Sequence, residues 1–477
     1  MEIAIVGAGF SGTLVAAHLL RKAAGPLTVR LIERAPHQFA RGVAYSTVRD
    51  CHFLNVPAAK MSAFPDDAEH FLRWASAREH QLINPPWVTA ITPASFLPRR
   101  AYGDYLCGVL DEAERGASAG VRLERKTGEA VGLKRGPHGI SVCLAGGERL
   151  EVERVVLALG NFHPGDPNVG DRSFYESERY HGDPWGPEVL AALMETRSCL
   201  AIGSGLTMAD WAITLSEAGY RGTLHVLSRR GVWPQAHRPA APVDFSIAAE
   251  AWPRAVGAWL RHIRHYIRSQ RCDWRAAIDA LRPATPALWA SLPLAEQRRF
   301  LRHLRPFWDC HRHRLAPFVG DHLQALTESG QLVRHVGRVM GYREEGNGVD
   351  VVIRRRGLDE VSWLRVDAVV NCSGSESDYR KLESRLINDL LERGLVHPDP
   401  LGLGLATGSN GALLDAAGCV SRHLYTLGPP EKGMLWETTA VPEIRGQAAR
   451  LANALLCDLE RPRRPARAEL ARAGGAG

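Results

Sequence analysis

Two glycine runs and one basic, aromatic run hold the groups in this chain whose types and spacing suit chemistry. The first run, Gly7-Ala8-Gly9-Phe10-Ser11-Gly12, follows a short apolar stretch and reads G-x-G-x-x-G. In that pattern Gly7 permits a tight turn, Gly9 lets backbone approach a pyrophosphate, and Gly12 lets a helix pack closely on a strand. The NH groups of the helix start then face the phosphates. Glu33 ends the next apolar stretch, about 20 residues on, where a carboxylate accepts hydrogen bonds from an adenosine ribose.

The second run, Gly203-Ser204-Gly205-Leu206-Thr207-Met208, repeats the pattern with one departure: Met208 fills the third small position and Ala209 comes one residue late. A helix and strand set slightly farther apart are expected there. Where the first unit ends in Glu33, this one ends in Ser228-Arg229-Arg230, hydroxyl and guanidinium groups that suit a 2′-phosphate and favour NADPH over NADH. The alternative is that these arginines lie in a solvated loop.

The third run, HLRPFWDCHRHR at 303–314, gathers three histidines and three arginines around a tryptophan, an aspartate and a cysteine. Pro306 can open a helix, on which Trp308 and Arg312 share one face and Asp309 and His313 the next. Cys310 and His311 are neighbours that point in different directions on a helix, so no metal site is expected. Two readings remain. In one, Trp308 enters a core and the charges are satisfied at a domain seam; in the other, Arg305, His311, Arg312 or His313 contacts substrate or cofactor. His237 of WPQAHRPA is a separate substrate-contact candidate.

The elements that must position these groups follow from pattern. Residues 2–6, a helix at 13–22 and a strand at 27–32 make one βαβ unit; 198–202, a helix to about 218 and 223–227 make another. The fold class is therefore α/β, with two dinucleotide-binding Rossmann-type domains. Residues 150–160 and 366–374 each read as a strand meeting a glycine, as expected where a chain leaves a flavin domain and returns to it. This gives a discontinuous FAD-binding domain at 1–165 plus 331–462 and an NAD(P)H-binding domain at 166–235. A helical insertion is expected at 236–330, since apolar residues from Val256 to Ile267 keep helical spacing. Residues 463–477, rich in Pro, Gly, Ala and Arg, read as a flexible tail. Two dinucleotide sites in one chain imply a flavin held permanently, a nicotinamide that visits, and hydride passing between them.

The bulk numbers exclude other classes. A net charge of +7 comes from scattered arginines, with no long basic block of the kind that binds nucleic acid. Nine cysteines include no Cys-x-x-Cys pair, which argues against a disulfide reductase and for a reducing cytoplasm. No signal peptide is expected from MEIAIVGAGFSG, and no stretch approaches the roughly 20 apolar residues of a membrane span.

The stretches GAGFSGTLVAAHLL, RGVAYST, LNVPAAKMSAFPDD, FLPRRAYGDYL, VVLALGNFHP, AIGSGLTMADWAITL, RPFWDCHRHRLAP and LGPPEKGMLWETTAVPEIRGQA cover most of the chain in order. Through them the sequence resembles the HpyO/CreE-type FAD/NAD(P)-binding flavoprotein monooxygenases. The resemblance implies that NAD(P)H reduces FAD and that dioxygen then supplies one oxygen atom to a small nitrogen-rich substrate, without metal. One branch of that family resembles urate hydroxylases making 5-hydroxyisourate, another aspartate N-hydroxylases making nitrosuccinate; the chain length leans the reading towards urate and purine catabolism. A flavin reductase or a non-catalytic flavin-binding protein is the alternative of another class.

The resemblance also implies roles. Gly7, Gly9, Gly12 and Glu33 would hold the ADP half of FAD, Asn55 would lie near the isoalloxazine, and Arg99 would meet a phosphate or ribose. Gly203, Gly205, Arg229 and Arg230 would hold the nicotinamide cofactor. The segment from Gly428 to Thr438 would cover the flavin ring, where a positive helix end favours the anionic reduced form. Asn55 could instead be an Asx-turn residue and Thr438 a helix cap.

Overall fold

The computed structural model describes residues 1–136, 139–245, 252–358, 360–408 and 410–460. The expected tail at 463–477 lies outside the described residues.

Two sheets carry the fold. The first runs Ala412–Leu414, Val420–Thr426, Arg154–Leu157, Glu2–Val6, Leu27–Glu33, Val121–Thr127, parallel except for its first pair. Successive side chains of a strand point to opposite faces, and here both faces are covered. Ile3 and Ile5 enter one core while Ala4 and Val6 enter another, so the strand is apolar throughout. Helices Phe10–Lys22, Arg99–Arg115 and Val441–Glu460 pack on the first side. A three-stranded antiparallel sheet and helix Arg385–Glu392 cover the second.

The second sheet runs Val361–Val366, Gly348–Arg355, Leu332–Glu345, Thr223–Ser228, Ser198–Ile202, Ala368–Asn371, Tyr180–His181. This differs from the expected boundaries. Leu332–Glu345 pairs in parallel with Thr223–Ser228, and a parallel pair needs a crossover, which helix Pro317–Glu328 supplies. That helix and the strands from 332 to 371 thus belong with the second sheet, and the chain returns to the first only after Asn371.

The strand at 366–374 is accordingly no crossover of the flavin domain. It stands to Gly203 as the strand at 150–160 stands to Gly7. A Cβ on Gly7 would lie 2.3 Å from the Ala158 carbonyl oxygen, and one on Gly203 would lie 2.3 Å from that of Cys372. Both glycines have positive φ, 99° and 109°. The sequence repeat is therefore a repeat of domains.

Among the described residues, five α-helices form the insertion: Val256–Gln270, Trp274–Leu281, Thr285–Ser291, Leu294–His303 and Arg305–Arg312. Their aromatic residues close on the C-terminal segment of the first domain. The Trp289 and Trp436 rings stack at 5.0 Å, and Trp289 Nε1 donates to the Gly433 carbonyl at 2.7 Å. Among the described residues, no helix is long and apolar enough to cross a membrane.

Candidate functional site

The first glycine loop brings backbone and helix start close together. A Cβ on Gly12 would fall 2.0 Å from the Gly7 carbonyl oxygen, so only hydrogen fits where helix meets loop. Gly9 caps helix Phe10–Lys22 without any side-chain hydrogen bond, which leaves the first NH groups of the helix free for an anion. Glu33 is buried beside them; its Oε2 accepts from Ala8 N at 3.0 Å and its Oε1 from Ala35 N at 3.2 Å. A carboxylate has about four lone-pair sites, so capacity remains for ribose hydroxyls.

Gly428 closes the other side of this loop: a Cβ there would lie 2.9 Å from Ser11 Oγ, and its φ is 76°. Thr438 is fully buried. Its hydroxyl donates to the Gly428 carbonyl at 2.9 Å and accepts from Gln447 Nε2 at 2.8 Å, while Gly428 N donates to Gln447 Oε1 at 2.9 Å. Thr438 thus braces the Gly428 turn.

The second loop repeats the construction. Gly203 N donates to the Leu227 carbonyl at 2.8 Å, and Gly205 caps helix Leu206–Glu217 with open space where its Cβ would be. Met208 is fully buried, so the departure from the glycine pattern is absorbed by the core. Arg229 has no acid partner among the described residues, whereas Arg230 turns towards the insertion and donates to the Arg302 carbonyl.

Arg99, expected to meet a phosphate or ribose, reaches from the first domain to Asp210 on helix Leu206–Glu217, with Nη2 2.9 Å from Oδ2. Arg99 Nε also donates to the Phe53 carbonyl at 3.1 Å. Burial pushes the Asp210 carboxyl up to about 6, with Arg99 opposing the shift. Without Arg99 the Asp210 carboxylate would be an unpaired charge in the interior. His52 lies beside the pair, its Nε2 2.8 Å from Thr214 Oγ1.

Asn55 and His237 come together across the same seam. His237 Nε2 lies 3.1 Å from the Asn55 carbonyl oxygen, and its ring is 5.0 Å from that of Phe96. Burial, then the nearby Arg314 charge, lowers the imidazole to about 4, so it is neutral near pH 7 and can donate from Nε2.

Of the two readings of 303–314, the geometry fits the seam. Arg312 is 6% exposed, with Nη2 3.2 Å from Glu437 Oε2 and 3.4 Å from Glu443 Oε1. Trp308 Nε1 donates to Glu437 Oε1 at 2.8 Å, and Arg282 Nη2 donates to Glu443 Oε2 at 2.7 Å. His311 sits edge-on to Trp274 at 4.6 Å, and Arg305 pairs with Asp309 at 3.4 Å on its own helix. His313 is lowered to about 4, chiefly by burial. Arg314 pairs with Asp279 and is 4% exposed. Among the described residues, no group of three or more His, Cys, Asp or Glu is placed to hold a metal ion.

A family model described as FAD-NAD(P)-binding matches residues 4–162. No curated protein sequence matches the chain. Solved structures match it almost end to end. The chain has an α/β flavoprotein fold with two dinucleotide-binding domains. An L-lysine 6-monooxygenase from Pseudomonas syringae gives a TM-score of 0.64 at 15% identity, covering 96% of this chain and 99% of that one. The ornithine N-hydroxylase of Kutzneria sp. 744 gives 0.62 at 15%, with the same coverage. A cadaverine monooxygenase from Erwinia amylovora, solved with FAD, gives 0.61 at 12%, covering 94% and 92%. At these identities the likeness is one of fold.

Asp210, His52, Glu437 and Glu443 escape a sequence reading. Asp210 falls within a helix pattern that otherwise signals burial, and the two glutamates lie six residues apart on either side of a turn. The one available signal was the charge surplus of 303–314, which required acids elsewhere.

Proposed function

We propose that the chain is a flavin-dependent monooxygenase that uses NAD(P)H and dioxygen to N-hydroxylate a small amine or amino acid. The observation that supports this most is the pairing of two uncapped glycine-loop helix starts, in a fold shared along nearly its full length with ornithine, lysine and cadaverine monooxygenases. The lean towards urate rested on chain length. Amine hydroxylases cover the same length, so length does not separate the branches, and nothing in the comparisons favours a purine.

The glycine loops fit the two nucleotides, since each leaves free NH groups where a side chain would block approach. Gly7, Gly9, Gly12, Glu33 and Gly428 would hold FAD; Gly203, Gly205 and Arg229 would hold the nicotinamide cofactor. FAD, once reduced, supplies the means to activate dioxygen. The chain's own residues do the rest. The Gln447 and Thr438 hydrogen bonds fix the Gly428 turn against the first loop. The Glu437, Glu443, Arg312 and Arg282 cluster holds the insertion down as a roof that keeps water out. Asn55 and His237 stand at the seam between roof and flavin domain, and a neutral His237 offers no competing positive charge to an amine substrate.

The test is turnover by the purified yellow protein with ornithine, lysine, cadaverine, aspartate and urate, scored by product mass. An amine product heavier by one oxygen atom supports the reading. Urate consumption with no hydroxylated amine overturns it in favour of the urate branch, and NAD(P)H oxidation unaffected by every substrate overturns it in favour of a flavin reductase.

A further inference from the structure

The second sheet ends in three antiparallel strands, Leu332–Glu345, Gly348–Arg355 and Val361–Val366, whose two faces differ. On one face Val351 stands between Tyr342 and Leu364, and these side chains enter the core that holds Leu200 and Val369. Alternate residues point the other way. There Val352 stands opposite Trp363 on one side and Gly341, next to the bulged Met340, on the other. Trp363 is 59% exposed, Val361 51% and Met340 40%. Leu358, in the turn that joins the last two strands, is 49% exposed. Among the described residues thirteen large apolar side chains are exposed, and five of them lie between 336 and 363, so they form a patch rather than a scatter.

Charge flanks the apolar row unequally. On one side Arg354 stands opposite both Val361 and Arg338, and Arg356 opens the turn that carries Leu358. All three arginines are exposed, and among the described residues none has an ion-pair partner. On the other side the charges are matched: Arg365 pairs with Asp350 at 3.2 Å and Arg343 with Glu345 at 3.6 Å. The face therefore offers an aromatic and aliphatic centre beside a flank of free cations.

A bilayer surface answers both halves of that pattern. An exposed indole is best placed at the headgroup level, where its ring leaves water while its NH still meets polar groups. Unpaired guanidiniums are drawn to anionic lipids, and apolar burial with basic charge gives attachment where either alone is marginal. The face is narrow for a stable protein partner: three rows across three strands supply nine residues, against about 20–30 on each side of a standard interface. We infer that this face, centred on Trp363 and flanked by Arg338, Arg354 and Arg356, docks the second domain on an anionic lipid surface. The inference is independent of the reaction proposed above.

The test is flotation of the full-length, flavin-loaded protein with phosphatidylcholine vesicles, with and without phosphatidylglycerol. The protein should float with the anionic vesicles, much less with the neutral ones, and less as salt rises. Trp363→Ala should weaken partitioning at least about tenfold, and Arg354→Gln or Arg338→Gln about fivefold each. Arg261→Gln removes an exposed arginine of insertion helix Val256–Gln270, off this face, and should change nothing. Absence of binding to anionic vesicles by the wild-type protein overturns the inference whether or not a variant folds. It is overturned too if Trp363→Ala binds as wild type does, or if Arg261→Gln weakens binding as much as Arg354→Gln. Tighter binding to polyglutamate than to vesicles overturns it in favour of an acidic protein, and a dimer that Trp363→Ala abolishes, without vesicle binding, in favour of a second copy.

Discussion

Arg99→Met isolates the ion pair that ties the two nucleotide domains together. Arg99 Nη2 and Asp210 Oδ2 are 2.9 Å apart, with side chains 18% and 10% exposed. At an effective dielectric constant of about 20 the Coulomb attraction at that distance is about 6 kcal/mol, before the desolvation of both groups is subtracted. Removing one partner of such a pair typically costs about 3–5 kcal/mol, because the remaining charge is left buried. The pH dependence sharpens this. Burial raises the Asp210 carboxyl to about 6 in the folded protein, and Arg99 is the group that opposes the rise, so without Arg99 it titrates higher still. For an acid whose folded pKa is raised, stability falls as pH climbs from the unfolded pKa through the folded one. At about pH 5 Asp210 is largely protonated with or without Arg99, so the variant should lose little; at about pH 8 it should lose about 3 kcal/mol or more. Urea denaturation of wild type, Arg99→Met, Asp210→Asn and the double variant at both pH values measures this, with the double variant less destabilised than the sum of the singles. A stability loss independent of pH, or strict additivity, would refute the reasoning.

Other outcomes follow from single contacts. Gly12→Ala sets a Cβ 2.0 Å from the Gly7 carbonyl oxygen and 3.0 Å from Ile5 Cγ2, so the purified variant should retain little flavin by absorbance; full flavin occupancy would contradict the first site. Gln447→Ala removes the hydrogen bonds that fix Thr438 and Gly428, and flavin dissociation measured by fluorescence should quicken with little change in the far-ultraviolet spectrum. Arg312→Lys cannot span Glu437 and Glu443 as the guanidinium does, so insertion helices should become more protease-sensitive while FAD stays bound. The Lys432 ammonium is lowered to about 8, mainly by burial, so stability should rise as pH increases from about 8 to about 10 and should not do so in Lys432→Met.

The nucleotide sites were legible because their signals are local. Gly7, Gly12 and Gly203 are required by backbone approaches within a few ångströms, and the strands around them alternate between two cores, so pattern and fold agree. The domain boundaries were less legible. The strands at 150–160 and 366–374 look alike because each lies against the first glycine of its own domain, and the linear sequence does not say which sheet a strand joins. Arg99 and Arg312 could not be placed from sequence for a related reason: a basic residue shows no partner until the fold brings Asp210, Glu437 or Glu443 across a seam. His237 and Asn55 were named separately, and only the folded chain shows them 3.1 Å apart.

The most direct test of the central claim is turnover under isotopically labelled dioxygen with NADPH and the amine that gives most product. The account predicts one labelled oxygen atom on the amine nitrogen and the other in water. Labelled hydrogen peroxide formed in place of a labelled hydroxylamine, or label recovered on a purine instead, would contradict it.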